Sequence, residues 1–164
     1  MSRNINVIIG KFQQVANLHP QINSFGYGPI YDLDGYEWDY PYLWIRNDNS
    51  HTFQFSPDNK YQAIEFQFTI RVGDKVNDQP NVYKANGENS NNGLDVIADT
   101  FTILVDILNS IMMNTLGLFD DLELTGDVDI EPFFHQDTGN VNGHEATITL
   151  RVKNDFKCHS PLTD

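Results

Sequence analysis

Residues 62–72 read "QAIEFQFTIRV". Successive side chains of a strand point to opposite faces, so Ile64, Phe66, Phe68, Ile70 and Val72 share one side and Glu65, Gln67, Thr69 and Arg71 the other. A strand that is half apolar and half polar belongs in an antiparallel sheet with one face covered by helices. The stretch "ATITLRVK" near the C-terminus alternates in the same way. Ala146, Ile148, Leu150 and Val152 fall on one face, and Thr147, Thr149, Arg151 and Lys153 on the other.

Two runs supply the cover. Ile5, Ile8, Ile9, Phe12, Val15 and Ala16 recur at helical spacing, and His19-Pro20 stops the run. Leu94, Ile97, Ala98, Phe101, Leu104, Val105, Leu108, Ile111 and Met112 form a second stripe at spacings of three and four, read as the buried face of a long helix. Asp95 and Asp99 suit its N-terminal end electrostatically. Between the helices, glycines and prolines cut an aromatic-dense region into short pieces. A strand is expected near Phe25 to Leu33 and another from Tyr42 to Arg46. Ser56 to Lys60 reads as a turn joining Thr52–Phe55 to the long strand. After Gly117 come two strands joined by "HQDTGNVNG". With no visible internal repeat or linker, this predicts one α+β domain over 1–164, an antiparallel sheet packed against two amphipathic helices. Asp74 to Gly93 is a polar loop of unusual length. It reads equally as plain surface or as an arm that carries Val82 and Tyr83 to a neighbouring subunit.

The formal charge is −13. Proteins that grip nucleic acid neutralise phosphates with clustered cations, whereas the 10 Lys and Arg here are scattered. Charge of this sign keeps a protein soluble and keeps DNA from adhering. No apolar run reaches the roughly 18 residues of a membrane helix, and the first residues lack the pattern of a secretory leader. A single cysteine excludes an internal disulfide.

Chemistry is sparse. No nucleophile elbow, phosphate loop, dinucleotide fingerprint or zinc-protease motif occurs. His135, Asp137, His144 and Glu145 bracket one hairpin without any metal-ligand spacing and read as exposed turn residues. Asp32, Asp34, Glu37 and Asp39, like Asp127, Asp129 and Glu131, read as solvated acids. Cys158 beside His159 is poor geometry for a nucleophile and its base. The expectation is a protein without catalytic, cofactor or metal residues, not an enzyme. Its candidate interface residues are Tyr36, Trp38, Tyr40, Val82, Tyr83, Phe156, Cys158 and Leu162. The competing expectation is a small cytosolic ligand-binding or enzymatic domain, its pocket near Asp32–Asp39 or the His135–Glu145 hairpin.

The opening helix running into "LHPQINSFGYGPIYDLD", the "YPYLWI" strand, "YQAIEFQFTIRV", the helix "LDVIADTFTILVDILNSI" and the ending "ATITLRVKNDFKCHSPL" together resemble a group of small virion proteins. These belong to tailed phages that infect Bacteroides and related bacteria, including crAss-like phages. They are neck, ring or tail-completion proteins, similar in plan to tail terminators and head–tail joining proteins. The resemblance spans nearly the whole chain and rests chiefly on "HPQINSFGYG" and the "KNDFKCHSP" ending. It implies a tail-terminator-like fold and a closed ring of copies around the DNA channel, bound to portal, adaptor or tail proteins of the same virion. It implies no membrane, no cofactor, and DNA that passes without specific binding. Localisation would be the virion neck or tail, and the host cytoplasm during assembly. Residues 154–164 would form a C-terminal tail that docks on a neighbouring subunit.

Overall fold

The computed structural model describes residues 5–35, 37–47, 50–55, 62–77, 92–136 and 140–153. The order is α1 (Ile5–Leu18), β1 (Ser24–Tyr27), a 3-10 helix (Ile30–Gly35), β2 (Tyr42–Arg46), β3 (His51–Phe55), β4 (Gln62–Lys75), α2 (Gly93–Met112), β5 (Leu122–Thr125), β6 (Ile130–Gln136) and β7 (Val141–Lys153). Among the described residues the fold is α+β, with seven strands in one mixed, curled sheet and two helices.

The long strands β4 and β7 pair antiparallel along their whole length, Phe68 opposite Ile148 and Thr69 opposite Thr147. On the outer edge of β4, β3 pairs with the N-terminal half and β2 with the C-terminal half. On the outer edge of β7, β6 pairs with the N-terminal half and β5 with the C-terminal half. All these ladders are antiparallel. Only β1 runs parallel to its neighbour, β2, and it ends the sheet.

This register contains a repeat. One helix followed by three strands occurs twice, as α1–β2–β3–β4 and α2–β5–β6–β7, and β1 with the 3-10 helix is extra to the first unit. A local two-fold relating β4 to β7 passes beside Phe68 and Ile148. It carries Glu65, Thr69, Arg71 and Val72 onto Glu145, Thr149, Arg151 and Val152, so identical residue types coincide. It also exchanges two cross-strand ion pairs, Arg71–Glu145 at 2.9 Å and Arg151–Glu65 at 2.6 Å. The sequence reading found no repeat because the shared residues are few and confined to two strands.

Both helices lie on the apolar sheet face. Phe12 meets Phe68 edge-on at 5.7 Å and Phe119 at 5.9 Å. Ile8, Ile9, Ile103, Leu104, Ile107 and Ile111 complete a core over Leu43, Ile45, Phe66, Ile70, Ala146, Ile148 and Leu150. Each such buried side chain contributes about 1.5–3 kcal/mol relative to exposure. Lys11 fixes α1 to the start of β5: its Nζ donates to the Leu118 carbonyl and pairs with Asp121 at 3.0 Å.

Several expectations are corrected. Phe25 to Leu33 is not one strand: β1 ends at Tyr27 and a 3-10 helix follows. The stretch from Leu118 to Phe134 holds two strands, β5 and β6, parted at Gly126, whose φ is +78°. The Thr52–Phe55 pairing with β4 is present, while the Ser56–Lys60 turn lies outside the described residues.

The phase of α2 also differs. Its inward residues are Val96, Thr100, Ile103, Leu104, Ile107 and Ile111. Of the predicted stripe, Leu94 is 56%, Phe101 45% and Met112 59% exposed. Apolar side chains cover more than half of this helix's circumference, so two stripes at the same spacing coexist. The sheet takes the one that includes Thr100, whose hydroxyl donates to the Val96 carbonyl at 2.7 Å.

Candidate functional site

The face of the sheet away from the helices carries a second, smaller core. Tyr42 and Trp44 of β2 and Phe133 of β6 gather with Leu33 and Val141, and Trp38 and Tyr40 pack against them. Two glycines make this possible. Gly73 of β4 stands opposite Tyr42 and Gly143 of β7 stands opposite Phe133, and the two glycines are themselves cross-strand partners. A Cβ on Gly73 would sit 2.6 Å from the Tyr42 ring, and one on Gly143 2.6 Å from the Phe133 ring and 2.0 Å from the Val72 carbonyl oxygen. The aromatic rings occupy the space that side chains would fill.

Arg71 is 3% exposed in this layer. Its guanidinium lies over the Phe133 ring at 3.6 Å, pairs with Glu145 and directs Nε to the Tyr42 hydroxyl at 3.4 Å. A buried cation needs such a partner, because desolvation of an unpaired charge is costly.

At the sheet's β1 end the aromatic layer opens into a cleft of about 590 Å³ lined by Gln13, Ser24, Phe25, Gly26, Tyr27, Glu37, Trp38 and Trp44. Trp38 and Trp44 meet at 89° with centroids 5.5 Å apart. Each indole N–H is already committed: Trp38 Nε1 donates to the Leu33 carbonyl at 2.9 Å and Trp44 Nε1 to the Gly28 carbonyl at 3.1 Å. Trp44 is 1% exposed, so the half-buried Trp38 is the indole that presents carbon and π surface to the cleft, with Trp44 behind it. Glu37 and Tyr27 stand exposed at its rim.

The structure distributes the predicted residues as follows. Trp38 and Tyr40 were expected as exposed interface anchors; both are half-buried, packed at a tilt against Tyr42 with ring centroids 5.3 and 5.9 Å away, and Trp38 lines the cleft. Tyr36, Val82, Tyr83, Phe156, Cys158 and Leu162 lie outside the described residues, as does the 78–91 part of the long loop. The base of that loop is closed by asparagines: Asn77 N–H donates to Asn92 Oδ1 at 2.8 Å, and Asn92 Nδ2 donates to the Lys75 carbonyl at 3.2 Å. Asp127, Asp129, Glu131 and Glu145 line a smaller hollow of about 200 Å³. Among the described residues no group of three or more acids, histidines or cysteines is placed to hold a metal ion.

The hairpin reading needs one correction. His144 and Glu145 are not exposed turn residues but members of β7; Glu145 holds Arg71, and His144 is 6% exposed. Its Nδ1 lies 3.1 Å from the Thr100 hydroxyl and its ring meets Phe101 at 5.4 Å. Since that hydroxyl donates to Val96, it accepts from His144 Nδ1–H, which fixes the neutral tautomer. Desolvation holds the His144 pKa below its usual value. The folded state therefore binds fewer protons than the unfolded chain as pH falls through the unfolded pKa near 6.5, and stability drops there. Asp74 works the other way: burial, with the Asp99 charge adding to it, raises its pKa above the usual carboxylate value. Its effect lies at lower pH, where the folded state takes up the extra proton. Urea midpoints are expected to fall between pH 7 and 5, and to stay flatter across that range in His144→Gln, whose side chain can still meet Thr100. An unchanged slope in the variant would remove His144 from the account.

Neither a protein-family model nor a curated protein sequence matches this chain.

Proposed function

We propose that the chain is a structural subunit of a tailed-phage virion, one of the ring components of the neck, head–tail connector or tail end around the DNA channel. In this reading it acts by assembling with copies of itself and with portal, adaptor or tail proteins, and it is not an enzyme. The observation that carries the proposal is a seam along α2 in which Leu94, Ala98, Phe101 and Met112 are exposed and Val105 and Leu108 half-buried, Leu108 partly against the core. Leu94, Ala98, Phe101, Val105, Leu108 and Met112 follow one another at alternating spacings of four and three. That spacing makes a straight apolar seam of the kind that packs on another polypeptide, about 27 Å long at 1.5 Å per residue. A seam of this length on a chain of charge −13 has a ready use in a subunit that is solvated before assembly and covered after it. A ring requires heterologous contacts, one patch meeting a different patch on the next copy. The seam supplies one such patch. The layout resemblance to neck and tail-completion proteins supports the same reading, and the acidic surface suits a channel through which DNA slides without adhering.

The test is a triple variant, Leu94→Gln/Phe101→Gln/Met112→Gln. Circular dichroism is expected to stay close to wild type, because these side chains are exposed, while entry into assemblies with the chain itself or with the portal and tail proteins is lost. A variant that folds and assembles like wild type would overturn the proposal.

A further inference from the structure

We propose that the cleft beside β1 receives the guanidinium of an arginine side chain presented by a partner polypeptide. The argument starts from what the cleft lacks. Among the described residues its lining contains no lysine, arginine or histidine. Its two indole N–H groups donate to the backbone carbonyls of Leu33 and Gly28, so neither is left to bind an acceptor. What remains is the aromatic surface of the half-buried Trp38, backed by the fully buried Trp44, and the rim groups of Glu37, Tyr27 and Gln13. Glu37 offers only acceptors when ionised. An aromatic corner with a carboxylate at its rim complements a flat, donor-rich cation. The rings attract the charge through their quadrupoles, and the carboxylate takes its N–H groups in charge-assisted hydrogen bonds. Guanidinium suits this better than ammonium, because it is planar, stacks on indole and sheds water more easily.

The fold keeps the cleft open. Gly26 lies under both indoles, and a Cβ there would stand 2.6 Å from Trp38 and 2.6 Å from Trp44. Any larger residue would displace the rings that form the corner. The size, about 590 Å³, exceeds a guanidinium and has room for the arginine stem and part of its backbone. The backbone has somewhere to go: all four residues of β1 line the cleft, and β1 is the last strand of the sheet. Terminal strands accept extended partner segments by main-chain pairing. The net charge of −13 adds a favourable field for a cationic partner. The site stands on this geometry whichever assembly the chain joins.

The indole N–H signals of the 2 tryptophans report binding directly in a nitrogen–proton correlation spectrum. The probes are acetyl-Ala-Arg-Ala-amide, the same peptide with citrulline as a neutral shape match, the same peptide with lysine, and agmatine as a guanidinium without a peptide. The arginine peptide is expected to shift the Trp38 signal saturably, about threefold more tightly than the lysine peptide and than agmatine. The citrulline peptide should leave the signal in place. Glu37→Gln, a change at an exposed position, should weaken arginine-peptide binding about fivefold, and the remote Asp129→Asn should leave it unchanged. An equal response to citrulline, or full binding by Glu37→Gln, would overturn the guanidinium site. Agmatine binding as tightly as the peptide would overturn the partner polypeptide as its source.

Discussion

Gly143→Ala is expected to destabilise the protein by about 4 kcal/mol or more, a size reserved for overpacking and similar core defects. The added methyl would stand 2.0 Å from the Val72 carbonyl oxygen and 2.9 Å from the Gly73 Cα, both backbone atoms of β4, and 2.6 Å from the Phe133 ring. A flexible neighbour could swing aside; a paired strand cannot without breaking the ladder that joins the two halves of the sheet. For a domain of this size each kcal/mol corresponds to roughly 2–4 °C in melting temperature, so a loss of about 8–16 °C or outright failure to fold is the expected outcome. Gly10→Ala serves as the control. Nothing lies within 4 Å of its added Cβ, and alanine in a helix interior gains about 0.5–1 kcal/mol over glycine. A Gly143→Ala protein as stable as wild type would show that β4 and β7 are not in the described register.

The second large effect separates two ion pairs that the local two-fold makes equivalent. Glu145→Ala removes the carboxylate from Arg71, whose side chain is 4% exposed, and is expected to cost about 3 kcal/mol because a buried cation loses its counter-charge. Glu65→Ala removes the carboxylate from Arg151, whose side chain is 29% exposed, and from the Gln54 amide, and is expected to cost less, about 1–2 kcal/mol, since water reaches the Arg151 guanidinium. The difference arises from the aromatic layer. Tyr42, Phe133 and the 3-10 segment that brings in Leu33 cover the half of this sheet face that holds Arg71. Urea denaturation of both variants reads the contrast. Equal losses would mean that the aromatic layer does not exclude water from Arg71.

The elements that sequence reading placed well share one physical property: their two faces differ. Over Ile64–Val72 of β4 and Ala146–Val152 of β7 apolar and polar residues alternate without a break, so strand, register parity and buried face follow there. In α1 the apolar arc is narrow and only one face can be inside. In α2 the arc is wide. Leu94–Phe101–Met112 and Val96–Ile103–Ile107 satisfy the same spacing rule, and only the fit against β4 and β7 decides between them. The aromatic segment was harder for a different reason. Trp38 and Tyr40 follow no period, and their place depends on glycines at 26, 73 and 143 that lie far away in sequence. His144 carried no signal of burial, because its partner Thr100 comes from the helix on the apolar face. The cleft beside β1 was legible only as a density of aromatics. Its opening, and the spent indole N–H groups, are properties of the folded chain.

We propose that this protein works as an assembled subunit. Native mass spectrometry of the purified chain, alone and mixed with tailed-phage portal and tail proteins, tests this. The account predicts a closed oligomer at a multiple of 18.8 kDa, or a complex that forms only with those proteins. A chain that stays monomeric in every mixture would contradict it.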